Sequence, residues 1–403
     1  LNLDLIVFDG DRDLRASLMA DKEFARAVKE SNAQPLPPAR KDLLETAVQL
    51  SPKMSPALYR LVERARAQVG VQAPVEVFCF PDPEINAFII PSNGDRISVA
   101  LSSAAAEKLD DAEILFVLGH EFGHALFNHL ELHQGLVDGN ETLAPVQAMK
   151  FYAWHRYAEL SADRMGLLAC DDFGAAVKAF FKLSSGLSDP RFLQDISEST
   201  QQYVALQAES QDNDPMDWYA THPYSPFRVK ALDLFHRSQA FHRVKGRTGG
   251  TLSDKDLNAE VTQLVSLMNP TFLDDKHKHR KEILEFLALG GLEIAAADGK
   301  VSRSELKVIQ RVAQGLGAAH LEELFAMNAE QHDIRIAQAA GTINLHLSPI
   351  RRHKLVEDLT AVALADRKLE QHELQALYGL AGMLDVEPDF VDASIGRPGR
   401  SLD

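Results

Sequence analysis

The chain has 403 residues, 45% hydrophobic and 25% charged, with 42 basic against 58 acidic side chains and a net charge of −16. This is the composition of a globular protein long enough for two domains. An acidic surface of this kind repels nucleic acid and anionic lipid, which excludes both as expected partners. No apolar run approaches the roughly 20 residues that cross a bilayer, so no transmembrane segment is expected.

Residues 1–38 open with an apolar stripe of Leu14, Leu18, Phe24 and Val28, then break at Pro35, Pro37 and Pro38. They read as an N-terminal helical arm or a pro-segment. Val75–Phe80, Ile85–Ile90 and Ile97–Leu101 read as short strands. Asn93-Gly94 is a hairpin turn signal between the last two. A helix then starts at Asp110-Asp111, which provide an N-cap and an acidic first turn. Apolar residues and the absence of proline carry it through His120-Glu121-Phe122-Gly123-His124.

That last string is HExxH. Residues four apart share a helical face, so His120 and His124 can turn one imidazole nitrogen each toward one metal ion. Glu121 lies about 100° round the helix, within reach of a metal-activated water. A catalytic zinc site needs a third protein ligand. The metzincin pattern fails, because Phe127 and Leu130 stand where its Gly and third His would be; His129 is one residue short and on another face. A glutamate from a second helix is the better option. Glu159 lies in a long apolar-periodic stretch from about Pro145 to Cys170, and Asp163, four residues on, shares its face. Asp163 could accept the free ring N–H of a ligand histidine. His155 shares that face too and is a rival ligand.

HExxH followed by a glutamate in an E-x-x-A-D context resembles the HtpX-like and CAAX-prenyl-protease-like gluzincin metallopeptidases. Asn86-Ala87-Phe88 is similar to the family's N-A-F segment, and His222-Pro223 with Arg228 is similar to its H-P-x-x-x-x-R segment. The resemblance covers roughly residues 55–240. It implies one Zn2+ per chain held by His120, His124 and Glu159, with Glu121 as general base and Asp163 supporting the site. His222 and Arg228 would lie near the metal. Arg228 could clamp Asp163 or the developing oxyanion; His222 could stabilise the transition state or occupy the free zinc position at rest. Asn86, Ala87 and Phe88 would bind substrate, since an edge strand there could take an extended peptide by strand addition. Many relatives are membrane-embedded, and this chain departs from them in having no candidate span.

A Gly-rich polar stretch at residues 245–255 reads as a linker. Beyond it nearly every segment reads as helix, with caps at Ser302 and Ser348. Ala295–Leu306 aligns with Ala363–Leu374, matching Asp298, Lys300, Glu305 and Leu306 with Asp366, Lys368, Glu373 and Leu374. The repeat, over about residues 278–386, resembles the tellurite-resistance TerB-like domain. An EF-hand is excluded, because Ile294 and Ala296 would hold its first two ligand positions. The bland reading is that Asp298 and Asp366 cap the next helix or turn, and that His277 and His279 belong to a solvated charge run.

The fold expectation is therefore mainly α with a small β-sheet, a zincin-like α+β protease domain at 39–244, then an all-α TerB-like domain at 256–390 and a tail at 391–403. The functional expectation is a soluble zinc endopeptidase acting on protein or peptide substrates, with a regulatory partner conceivable at the C-terminal domain. The alternative is a catalytically silent or latent zincin acting as a stress-related binding protein. Cys79 and Cys170 read as buried thiols with no disulfide framework, which favours the cytoplasm. The sequence begins at Leu1 rather than Met, which leaves a targeting segment and a periplasmic location open.

Overall fold

A computed structural model of the chain describes residues 1–33, 39–90, 96–133, 145–192, 223–266, 268, 278–297, 299, 301–347, 349–365 and 369–395. The architecture is mainly α-helical with a four-stranded mixed sheet, followed by an all-helical C-terminal region. The chain divides into two compact units. The first comprises Leu1–Thr142, Trp154–Ala205 and Ala220–Val265; the second comprises Leu143–Ala153, Leu206–Tyr219 and Ser266–Asp403.

The first unit opens with helices α1 (Asp9–Ala20) and α2 (Lys22–Ala33). Their stripe of Leu14, Leu18, Phe24 and Val28 is buried. Helix α3 (Ala39–Thr46) leads into β1 (Val48–Leu50), a strand with no clear signal in the sequence, and then α4 (Pro56–Val69). Strands β2 (Val75–Phe80), β3 (Ala87–Ile90) and β4 (Ile97–Ser102) complete the sheet in the order β1-β2-β4-β3. β2 and β4 are parallel, while β3 runs antiparallel to β4 with Ile89 opposite Val99. Among the described residues β3 is thus an edge strand. Its turn signal at Asn93-Gly94 lies outside the described residues.

Ser102 ends β4 and caps the short α5 (Ser103–Lys108) by accepting the Ala105 N–H. Helix α6 (Asp111–Leu126) follows, and its start is doubly fixed. Asp110 accepts from the Ala112 and Glu113 amides, and Glu113 accepts the Asp110 N–H, a capping box. The same buried Glu113 takes a 2.6 Å contact from Lys182 of α9 (Phe173–Ser185), which also donates to the Lys108 carbonyl. A short α7 (Leu130–His133) follows α6. Helix α8 spans Pro145–Cys170, and from Trp154 onward it belongs to the first unit.

Glycines set how near α6 and α8 come. A Cβ on Gly119 would lie 2.4 Å from the Ala169 Cβ and 3.0 Å from the Gly166 Cα; one on Gly123 would lie 3.0 Å from the Ala162 Cα. Side chains on these faces would hold the helices apart, so the small residues permit the close approach. Helices α10 (Ser225–His236), α11 (Gln239–Val244) and α12 (Asp254–Ser266) finish the unit. Between α11 and α12, Leu252 forms an isolated parallel bridge with Ser238.

In the second unit α13 (Arg280–Ala296) runs through the core, with every residue from Ile283 to Gly291 buried. Around it lie α14 (Arg303–Val312), α15 (Ala318–Phe325), α16 (Ala329–His346), α17 (Pro349–Ala363), α18 (Gln371–Met383) and α19 (Pro388–Ile395). The repeat explains itself at its glutamates. Glu305 accepts the Ser302 N–H at 2.6 Å and Glu373 accepts the Glu370 N–H at 2.7 Å, so each closes the capping box of α14 or α18. Asp298, Lys300, Asp366, Lys368, Ser348 and His277 lie outside the described residues. His279 stacks on His346 at 4.2 Å between ring centroids.

Cys170 is buried, and burial pushes its thiol up to about 11. Cys79 was expected to be buried but is only half-buried, because it lies on a strand of a small sheet. Both thiols are free. Among the described residues no helix is long and apolar enough to cross a membrane.

Candidate metal centre

Helix α6 presents His120 and His124 on one face, and α8 presents Glu159 and Asp163. The ring nitrogens His120 Nε2 and His124 Nε2 are 3.1 Å apart. Glu159 Oε1 lies 3.3 Å from His124 Nε2, and Oε2 lies 3.5 Å from His120 Nε2. Among the described residues these three side chains are the one group of histidine, cysteine or carboxylate donors close enough to hold a metal ion together. His155, the rival ligand, is not in it; it is buried and packs edge-on to Trp154.

The hydrogen bonds behind the histidines decide what their inner nitrogens are. Asp163 Oδ1 lies 2.9 Å from His120 Nδ1. Burial would raise the Asp163 carboxyl, but the Arg228 charge and the hydrogen bonds of Arg228 and His120 outweigh it and hold it below its ordinary value. A carboxylate can only accept, so His120 Nδ1 carries a proton and Nε2 is the nitrogen that faces the centre.

His124 Nδ1 lies 3.0 Å from His129 Nδ1, and His129 Nε2 lies 3.0 Å from Asp11 Oδ2. Asp11 is held below its ordinary value: burial opposes this, but His129, Ser161 and Trp154 all donate to it. His129 therefore donates from Nε2 and accepts at Nδ1, and His124 donates from Nδ1 and turns Nε2 inward. His120 Nε2, His124 Nε2 and the Glu159 carboxylate converge on one point, a donor set that suits a cation. Ligands on a tetrahedron around zinc, at about 2.0–2.1 Å each, lie about 3.3–3.4 Å apart. The observed 3.1, 3.3 and 3.5 Å fit that ion.

Arg228, in the first turn of α10, grips Asp163 from the other side. Its Nε donates to Oδ2 at 2.9 Å and its Nη2 to Oδ1 at 2.6 Å. Nη2 also lies 3.2 Å from Glu159 Oε2, and the guanidinium sits 4.8 Å from the Phe180 ring centroid. Of the two expected roles, the geometry is that of the clamp on Asp163. Burial opposes the Arg228 charge, but Asp163 and Glu159 hold its pKa above the ordinary value, so it stays charged. Glu121 is buried beside these groups. Burial pushes its carboxyl above the usual range while the histidine charges pull it down. His222 lies outside the described residues.

Asn86 and Phe88 are exposed and Ala87 is half-buried. The Asn86 amide donates to Ser102 Oγ, and its carbonyl accepts the Ser102 N–H. Ala87 and Phe88 begin edge strand β3, and the Phe88 ring lies 5.3 Å from that of Phe80.

His129, one residue short of a ligand position by spacing, does not join the three donors. Its contact with His124 is not evident from that spacing. The contact follows from how α6 ends. Asn128 takes a left-handed conformation with φ 56°, its N–H reaches the Ala125 carbonyl, and the His129 N–H returns to the His124 carbonyl. This is a Schellman cap, and it brings the residue after the left-handed position back over the one five before it. An asparagine just past the last periodic residue is the signal that could have found it.

A helix-borne HExxH pair completed by a glutamate from a second helix is the donor arrangement of the glutamate-zincin class of metal centres. Within that class, residues 52–235 match the family model of peptidase family M48, and residues 318–394 match that of tellurite resistance protein TerB. The chain thus has a region similar to peptidase family M48 followed by one similar to TerB. It is 25% identical over 211 residues to the plastoglobule-localized metallopeptidase 48, chloroplastic, of Arabidopsis thaliana, covering 48% of this chain and 60% of that one. It is 26% identical over 210 residues to the protease HtpX homolog of Bacillus subtilis, covering 43% and 67%. Over 78 residues it is 37% identical to the HtpX homolog of Moorella thermoacetica, covering 19% and 26%. The chain thus spans less than two thirds of the Arabidopsis and Moorella relatives.

Proposed function

We propose that this protein is a zinc-dependent endopeptidase acting on protein or peptide substrates. The observation that carries the reading is the convergence of the His120, His124 and Glu159 donor atoms at 3.1–3.5 Å, with the buried Glu121 beside them. His120, His124 and Glu159 would hold one zinc ion. Bound there, the ion would supply Lewis acidity to the reacting oxygens. Glu121 takes the proton of the attacking water as its oxygen bonds to the scissile carbonyl carbon, then delivers it to the amine as the C–N bond breaks. A carboxyl held above its ordinary value is the better proton acceptor for this task. Asp163 fixes the His120 ring, and Arg228 fixes Asp163. His222 remains our candidate donor to the developing oxyanion.

Ala87 and Phe88 start an edge strand, and we propose that Asn86–Phe88 pair with an extended substrate through the main chain. We keep the domain scheme of an N-terminal arm, a peptidase domain and a C-terminal helical domain, and assign the last a regulatory or targeting role. Two free thiols fit a reducing compartment such as the cytoplasm.

The test is Glu121→Gln. The purified variant should hold the same one zinc per chain as the wild type and lose cleavage of unstructured peptides by about 10²–10⁴-fold. Undiminished cleavage would remove Glu121 from the reaction. A wild-type protein that binds zinc but cleaves nothing would instead favour the silent binding protein.

A further inference from the structure

The relay behind His124 starts in the N-terminal arm, 113 residues upstream. Asp11 lies in the first turn of α1 and is 2% exposed. It accepts three hydrogen bonds: Trp154 Nε1 at 2.9 Å on Oδ1, and Ser161 Oγ at 2.7 Å and His129 Nε2 at 3.0 Å on Oδ2. Trp154 and Ser161 sit on α8 on either side of Glu159, and Ser161 Oγ in turn accepts the Phe8 N–H at 3.1 Å. The arm is also held by Arg164, which donates to the Ile6 carbonyl at 3.1 Å, and by Arg15, which donates to the Phe127 carbonyl and to Glu131. Asp11 thus ties together the arm, the helix of Glu159 and the turn after His124.

We propose that His129 and Asp11 are positioning residues of the metal centre, a relay by which the N-terminal arm fixes the tautomer and ring orientation of His124. The inference rests on the metal-centre reading above. Of the two readings of residues 1–38 it favours the helical arm over a removable pro-segment, because the arm supplies a group that the centre uses. Three donors surround Asp11, and only a carboxylate accepts all of them. An asparagine must turn its NH2 toward Trp154 on one side or toward Ser161 and His129 on the other. In the second case His129 must accept at Nε2 and donate from Nδ1, which opposes the Nδ1 proton of His124. The ring then loses the orientation that aims Nε2 at the other two ligands.

The test is zinc affinity of the full chain, measured by competition with a chromophoric chelator, for wild type, Asp11→Asn, His129→Phe and His129→Gln. Loss of a partner behind a ligand histidine costs about 10–100-fold in metal affinity. Asp11→Asn and His129→Phe should show that loss. His129→Gln, whose amide accepts and donates at once, should recover most of it. Equal loss in His129→Phe and His129→Gln would reduce the role to packing and overturn the proposal, as would wild-type affinity in Asp11→Asn and His129→Phe.

A second measurement needs no variant. In zinc-loaded wild-type protein labelled with 15N-histidine, long-range proton–nitrogen correlations should show His124 protonated at Nδ1 and His129 at Nε2. Protonation of His129 at Nδ1 overturns the relay even if every variant fails to fold. A wild-type protein that takes up no zinc overturns the metal-centre reading and the relay with it. Zinc binding without peptide cleavage counts against the peptidase reading alone.

Discussion

Arg228 and Asp163 meet through two parallel contacts, Nε to Oδ2 at 2.9 Å and Nη2 to Oδ1 at 2.6 Å, while the same carboxylate faces His120 Nδ1 at 2.9 Å. A lysine in place of Arg228 keeps the charge but loses the fork that matches both oxygens. Arg228→Lys is expected to fold and to bind zinc about tenfold more weakly. Arg228→Ala leaves the buried Asp163 and Glu159 without their cation, and should destabilise the metal-free protein by about 3–5 kcal/mol. Urea unfolding of chelator-treated protein measures the second effect. A neutral result there would mean that the clamp contributes nothing to folding.

The distance between α6 and α8 sets how well the two helices share a metal ion. At Gly119 an added methyl carbon would sit 2.4 Å from the Ala169 Cβ and 3.0 Å from the Gly166 Cα, with no flexible side-chain end to give way. Gly119→Ala should cost about 1–3 kcal/mol by overpacking, and it should weaken zinc binding because Glu159 is pushed from the histidines. Gly379 provides the contrast. It lies on α18, is exposed, and would meet nothing within 4 Å of an added Cβ. Gly379→Ala should be neutral, or stabilising by up to about 1 kcal/mol through helix propensity. Equal thermal shifts for the two variants would remove close packing as the reason for the glycine.

Acid sensitivity has a separate origin in the sheet. On β2, Glu76 accepts from Arg40 Nε at 2.8 Å and from Arg96 Nη1 at 2.7 Å. The Arg40 hydrogen bond, with help from Arg96 and against the effect of burial, lowers its pKa to about 2 from an ordinary 4.5. A depressed folded-state value means the unfolded chain binds the proton more readily. The stabilisation is therefore complete above about pH 4.5 and is lost as pH falls toward 2. Both arginines are more than a third exposed, so solvent screening limits the gain to about 1–2 kcal/mol in all. Glu76→Gln should be less stable than wild type by that amount at pH 7 and equally stable at pH 2. Denaturant titrations of the metal-stripped proteins would check it, and a gap that does not close in acid would point to packing instead.

What the sequence made legible were relations within one element. The Asp110 start of α6, the bounds of α8 at Pro145 and Cys170, and strands β2 to β4 all follow from caps and periodicities of a few residues. Glu159 and Asp163 could be put on one face because four residues make about one turn. Relations across the chain were not legible in the same way. Asp11 reaches Trp154 and Ser161 over 143 and 150 residues, and no local pattern encodes that pairing. Glu305 and Glu373 align as a repeat, and each closes a capping box because it lies three residues past its N-cap, Ser302 or Glu370. The role of Arg228 stayed open between clamp and oxyanion donor, because spacing says nothing about which carboxylate a long side chain will meet.

The end of α6 gives the last prediction. Asn128 holds φ at 56°, a conformation that asparagine tolerates and that β-branched residues avoid. Asn128→Gly preserves the turn and should leave stability within a few tenths of a kcal/mol. Asn128→Val should cost about 1–2 kcal/mol through the backbone alone. If the Schellman cap is what returns His129 to His124, the valine variant should also lose zinc affinity, and the glycine variant should not. Calorimetric zinc titration of both variants separates the outcomes. Valine that destabilises the fold yet binds zinc as tightly as wild type would show that the His124–His129 contact survives without the cap.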